Sequence, residues 1–118
     1  MALLKAAAVN GRILVVDDDE AIRKVLGIGL SGSGYETRAA ASGAEALELL
    51  HQGEFRPDCI LTDIRMPGLP GDQLLETLRS ELPLVPVIML TALNQVEIAV
   101  DTMRKGAFDY LLKPVRKA

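Results

Sequence analysis

One cysteine, Cys59, stands in a chain of 118 residues. No disulfide can form within the chain, and a reducing compartment fits. No apolar run reaches the roughly 18 residues that a membrane span needs. Lys and Arg total 13 against 16 acids, for a formal net charge of −3. There is no stripe of cations, so the chain is a poor nucleic-acid binder by itself, because neutralising phosphates takes clustered Lys and Arg. Internal repeats and low-complexity linkers are also missing. The Ala/Leu-rich start has too short an apolar stretch for a signal peptide, and no evident cleavage site. Residues 1–10 are therefore expected to be a leader or an added remnant, or a short helical arm. A soluble, cytoplasmic protein is expected.

What is present is a regular alternation. Hydrophobic residues make up 49%, enough for the core of one domain. Strands are predicted at Arg12–Val16, Tyr35–Ala39, Asp58–Thr62, Val85–Leu90 and Phe108–Leu112. Helices are predicted between them. Glu20–Leu30 places Ile22, Val25, Leu26 and Leu30 at helical spacing. Ser42 caps a helix to Gln52, with Glu45 at the capping-box offset. Asp72–Leu82 turns Leu74, Leu75 and Leu78 inward. Gln95–Lys105 carries Val96, Ile98, Ala99 and Met103 on its apolar side, and Gly106 ends it. Ile64–Gly71, with two prolines and two glycines, reads as a shaped loop. The order βαβαβαβαβ implies an α/β fold with a mostly parallel sheet.

The chemistry-bearing residues sit at strand ends. Ile13 to Asp19 read Ile-Leu-Val-Val-Asp-Asp-Asp, a buried-strand pattern ending in three acids. Such acids repel one another and raise each other's pKa. A hard cation with oxygen ligands, Mg²⁺, is the simplest reason to gather them. Asp63 ends the third strand, Thr91 the fourth and Lys113 the fifth. In open α/β sheets, ligands bind beyond the carboxyl ends of the strands. Asp17, Asp18 and Asp63 could hold Mg²⁺ and leave one carboxylate free to attack phosphorus, with Lys113 neutralising charge and Thr91 donating a hydrogen bond. Asp19 reads as a helix cap, His51 as an exposed residue at a helix end, and Cys59 as a small core residue.

Taken together, Val16-Asp17-Asp18-Asp19, Leu61 through Gly68, Met89-Leu90-Thr91-Ala92 and Gly106 through Pro114 resemble the receiver domain of bacterial two-component response regulators. The likeness runs from about residue 11 to residue 114. It implies a flavodoxin-like sheet of order 2-1-3-4-5, an order for which receiver proteins are a standard example. It also implies that Asp63 is the phosphoacceptor, and that Asp17 and Asp18 hold Mg²⁺, Asp18 directly and Asp17 partly through water. The backbone carbonyl of Arg65 would complete the metal site. Thr91 and Tyr110 become the switch residues, Lys113 pairs with the phosphoryl group, and the Lys113–Pro114 bond is expected to be cis. In the family, the side chains at positions 65 and 93 adjust dephosphorylation.

The implied partner is a sensor histidine kinase. An effector domain C-terminal to this chain and a homodimer are further implied partners. The chain would catalyse its own aspartyl phosphorylation and slow autodephosphorylation, without turning over external substrates. A phosphorylation-independent adaptor, binding through the same surface, is the alternative. A haloacid-type phosphatase fits less well, since Ala21 lies where that family has Thr. One departure is expected: only Val115–Ala118 follow Pro114, so the family's fifth helix is largely absent from this stretch. The expected domain is 11–118, truncated after strand five. Either the chain is a fragment of a longer regulator, or Leu3, Leu4 and Val9, or a second copy, cover the gap.

Overall fold

The structure, a computed structural model, describes residues 11–113. In chain order the elements are β1 (Arg12–Val16), α1 (Glu20–Gly32), β2 (Glu36–Ala40), α2 (Gly43–Gln52), β3 (Cys59–Asp63), α3 (Gly71–Glu81), β4 (Val87–Thr91), a 3-10 turn (Leu93–Gln95), α4 (Val96–Arg104) and β5 (Asp109–Leu112). The five strands form one parallel sheet in the order β2-β1-β3-β4-β5. This is the flavodoxin-like arrangement. None of the described helices is long and apolar enough to cross a membrane.

Alternation along the strands divides the core. Leu14, Val16, Ile60 and Met89 face one side, where Ala46, Leu74, Leu75, Leu78 and Ala99 of α2, α3 and α4 pack on them. Ile13, Val15, Cys59, Leu61, Ile88 and Leu90 face the other, against Leu26 and Leu30 of α1. Both faces of the central strands are buried, which is why those strands read as continuous apolar runs.

Several element ends differ from expectation, each for a local reason. Tyr35 donates its N–H to the carbonyl of Leu30 at 3.1 Å. That bond ties it into the turn that closes α1, and β2 starts at Glu36. Val85 closes a turn onto the Leu82 carbonyl at 3.1 Å. Pro86 has no N–H to give the ladder, so β4 begins at Val87. Asp63 and Thr91 lie inside their strands, because Asp63 pairs with Leu90 and Thr91 with Leu112 in the ladder. The 3-10 turn before α4 was not anticipated. Within α4, Thr102 is buried and Met103 is exposed; the Thr102 hydroxyl bonds the Ala99 carbonyl, which hides its polarity. Val25 is likewise exposed on α1. The expectations for residues 1–10, the Lys113–Pro114 bond and the stretch to Ala118 lie outside the described residues.

Candidate functional site: an acidic pocket at the carboxyl edge of the sheet

Parallel register sets the site. β1 and β3 are neighbours, with Val16 opposite Thr62. The acids that follow or end these strands therefore meet. Asp17, Asp18 and Asp63 each offer a carboxylate oxygen, and these three atoms lie within 4.8 Å of one another. Asp17 and Asp63 are buried, and Asp18 is exposed. Lys113, just beyond β5, reaches back across the edge. Its Nζ stands 2.8 Å from Asp17 Oδ2 and 3.2 Å from Asp63 Oδ1.

The first acidic turn is tied down locally. Asp17 Oδ1 accepts from the Asp19 N–H at 2.9 Å. Asp19 is the N-cap of α1, its Oδ1 accepting from the Ala21 N–H at 2.9 Å, as such residues commonly do. Asp17 Oδ2 differs: it is buried and receives no well-directed hydrogen bond, although the Lys113 ammonium is close. The contact is an ion pair with poor hydrogen-bond alignment. An acceptor oxygen left this way has spare capacity for a cation.

The electrostatics follow from burial. Burial pushes the Asp63 carboxyl above the usual carboxylate range, and the nearby Asp17 and, more weakly, Asp18 add to this. Lys113 pulls the other way by charge and hydrogen bonding. For Lys113 itself, burial would lower the pKa, but its close pairing with Asp17 and the charges of Asp17 and Asp63 outweigh that and raise it. The pocket is thus short of positive charge: three acids share one ammonium. Cys59 lies deep in β3, where burial pushes its thiol up to about 12. It is an inert core residue.

The remaining predicted residues are placed as follows. Thr91 is buried at the end of β4, its hydroxyl donating to the Ala92 carbonyl at 3.1 Å rather than to Asp63. Tyr110 is half-buried and packs on the core under α4. Arg65 is exposed in the β3–α3 loop, beside a groove that it lines with Met66, Pro67 and Pro70. Its carbonyl accepts no hydrogen bond among the described residues. His51 is exposed at the end of α2, 2.8 Å from Glu81 Oε1.

Two residues that shape the site were not singled out from sequence. Gly71 opens α3 against the backbone of Asp63: a Cβ there would stand 1.9 Å from the Asp63 carbonyl oxygen. A glycine directly after Pro70, at the start of an apolar helix, was the available signal. Arg23 Nη1 donates to the Asp17 carbonyl at 2.7 Å, and nothing in the helical periodicity points to it.

A five-stranded 2-1-3-4-5 sheet with acids and a lysine gathered at its carboxyl edge defines the receiver class. Sequence comparison agrees: residues 13–118 match the profile of the response regulator receiver domain, and the chain belongs to that family. Regulatory protein AtoC of Escherichia coli K12 is 44% identical over 107 residues, covering 91% of this chain and 23% of AtoC. The DNA-binding transcriptional regulator NtrC of the same organism is 45% identical over 105 residues, covering 89% of this chain and 22% of NtrC. The chain thus spans under a quarter of the length of these relatives. The crystal structure of the NtrX receiver domain from Brucella abortus superposes with a TM-score of 0.82 at 36% identity, over 89% of this chain and 88% of that one. A receiver domain protein from Clostridium thermocellum gives 0.84 at 34% identity, over 91% and 85%.

Proposed function

We propose that the chain is a phosphorylation switch in which Asp63 accepts a phosphoryl group from a phosphohistidine on a sensor histidine kinase. The observation that carries this reading is the Lys113 ammonium set between two buried carboxylates, Asp17 and Asp63, with Asp18 alongside. Asp17, Asp18, Asp63 and the Arg65 carbonyl are the groups that would hold Mg²⁺. Their donors are all oxygen, their carboxylate spacing suits one ion, and Asp17 Oδ2 has acceptor capacity to spare. The ion would supply charge neutralisation for the carboxylates and the transferred phosphoryl oxygens.

In the transfer, an Asp63 carboxylate oxygen forms a bond to phosphorus as the phosphorus–nitrogen bond of the phosphohistidine breaks. The electron pair stays on the imidazole nitrogen, which solvent then protonates. Lys113 has two tasks. It helps keep Asp63 ionised against burial, and it stands where negative charge on the phosphoryl group needs a partner. In slow autodephosphorylation, a water oxygen bonds to phosphorus and the bond to Asp63 breaks. This restores the carboxylate and releases inorganic phosphate.

The switch uses Thr91. Its hydroxyl leaves the Ala92 carbonyl to meet a phosphoryl oxygen, Tyr110 follows, and the face around α4 changes. The added group acts by favouring one of two states through its differential contacts. Relatives such as NtrC are far longer regulators, so an effector domain beyond this segment and a cytoplasmic setting are part of the proposal. The receiver unit itself is taken as residues 11–118.

Acetyl phosphate with Mg²⁺ tests the reading. The intact mass is expected to rise by one phosphoryl group, with the adduct mapping to Asp63 and lost in Asp63→Asn. A folded wild type that takes up no adduct defeats it.

A further inference from the structure

We propose that Arg23 is a positioning residue for the acidic pocket: by holding the Asp17 carbonyl, it aims Asp18 at the divalent cation. This deepens, and rests on, the magnesium reading above.

Arg23 lies in the early part of α1 and is half-buried. Three carboxylates crowd this corner of the molecule. Among the described residues, however, its guanidinium pairs with none of them and bonds the neutral Asp17 carbonyl at 2.7 Å instead. Charge-assisted bonds of this length are strong and directional. Asp17 is already held at three other points: its N–H on the Ala40 carbonyl at 3.1 Å, Oδ1 on the Asp19 N–H at 2.9 Å, and Oδ2 near Lys113 at 2.8 Å. The carbonyl is the fourth attachment. It alone lies in the peptide plane that Asp17 shares with Asp18.

The Asp17 ψ torsion, which fixes the direction of that carbonyl, also sets where Asp18 stands relative to the anchored Asp17. Asp18 is exposed, and its carboxylate makes no hydrogen bond or ion pair among the described residues. No neighbouring side chain orients it, so its aim comes from the backbone. With the rest of Asp17 anchored, a change in its ψ torsion would swing the carbonyl off Arg23 and displace the Asp18 Cα, carrying the Asp18 carboxylate away from Asp17 and Asp63. Arg23 opposes that rotation.

Two effects of Arg23 on a bound cation have opposite signs. Its charge repels the ion, while its hold on the peptide keeps a ligand in place. The charge belongs to a half-exposed side chain and is weakened by solvent and salt. Hydrogen-bond partners that orient metal ligands typically govern affinity by about 10–100-fold. The hold should win, and the sign of the mutant effect separates the two.

Mg²⁺ titration followed by amide chemical shifts provides the test, on wild type, Arg23→Ala and Arg23→Lys, with melting in EDTA measured alongside. Arg23→Ala is expected to raise the Mg²⁺ dissociation constant about tenfold. Arg23→Lys, which keeps one charged donor, should recover most of the loss. Should the alanine variant not fold, Arg23→Gln takes its place with the same expected direction. A purely structural role would lower the melting temperature in EDTA and leave the dissociation constant alone. An unchanged or tighter constant in Arg23→Ala, beside a wild type that binds, overturns the positioning role only. A wild type with no Mg²⁺-dependent shifts defeats the magnesium reading first, and this inference with it.

Discussion

Replacing Gly71 with alanine should be far more damaging than adding one methyl group suggests. The new Cβ would stand 1.9 Å from the Asp63 carbonyl oxygen and 2.9 Å from both the Asp63 carbonyl carbon and Ile64 Cα. All three neighbours are backbone atoms, so no side chain can swing aside. Relief takes movement of about 1 Å or more between the start of α3 and the end of β3. That movement breaks the bond from the Gly71 N–H to the Ile64 carbonyl, now 2.8 Å, at about 1 kcal/mol. Overpacking adds about 1–3 kcal/mol, here near the upper end. The sum, about 3–4 kcal/mol, is a large part of the 5–15 kcal/mol typical of a domain. At roughly 4–8 °C per kcal/mol for a chain near this size, the melting temperature should fall by about 12–32 °C. Thermal melting by circular dichroism, with a urea titration for the free energy, measures it. A variant that melts within about 3 °C of wild type would refute the steric argument.

Two further predictions concern charge. The Asp63 carboxyl is raised in the folded state, so ionising it costs stability, and that cost accrues as pH climbs from the ordinary aspartate range through the raised value. In EDTA, Asp63→Asn should therefore be more stable than wild type at about pH 7, with the gap closing toward about pH 3; urea midpoints across pH check this, and an Asn variant that is less stable at neutral pH would contradict it. Lys113→Met should cost about 3 kcal/mol at neutral pH, the low end for a broken buried pair because Lys113 is partly exposed, since it strands the buried Asp17 without its counter-charge. Since the Lys113 pKa is raised, this contribution is full below the ordinary lysine range and fades as pH rises through the raised value. Equal urea midpoints for variant and wild type at neutral pH would remove the ion pair from the account.

The architecture was legible because its signals are local and redundant. Apolar runs bounded by Gly, Pro and Asp marked β1, β3, β4 and β5, and helical spacing marked the four described helices, whereas β2, with Glu36, Thr37 and Arg38, carries no such run and was legible only from its place in the alternation. Errors arose where one hydrogen bond decides a boundary, as at Tyr35 and Val85, or where a polar side chain hides its polarity in its own helix, as Thr102 does. The site was legible as a set of strand-end residues. Its internal connections were not. That Lys113 lies nearer to Asp17 than to Asp63, that Thr91 bonds the Ala92 carbonyl, and that Arg23 reaches the Asp17 carbonyl depend on rotamers and loop paths set by tertiary packing. The need for glycine at position 71 was hidden for a similar reason, since it comes from a close approach of two backbones rather than from a turn.

On the proposed reading, β1 and β3 bring three carboxylates together to hold one divalent ion beside the acceptor Asp63. Crystals soaked in Mn²⁺ and measured for anomalous scattering test it most directly. One strong peak is expected within about 2.0–2.6 Å of oxygens from Asp17 or its bound water, Asp18 and Asp63. A peak elsewhere, or none at this corner while Asp17, Asp18 and Asp63 are well ordered, would contradict it.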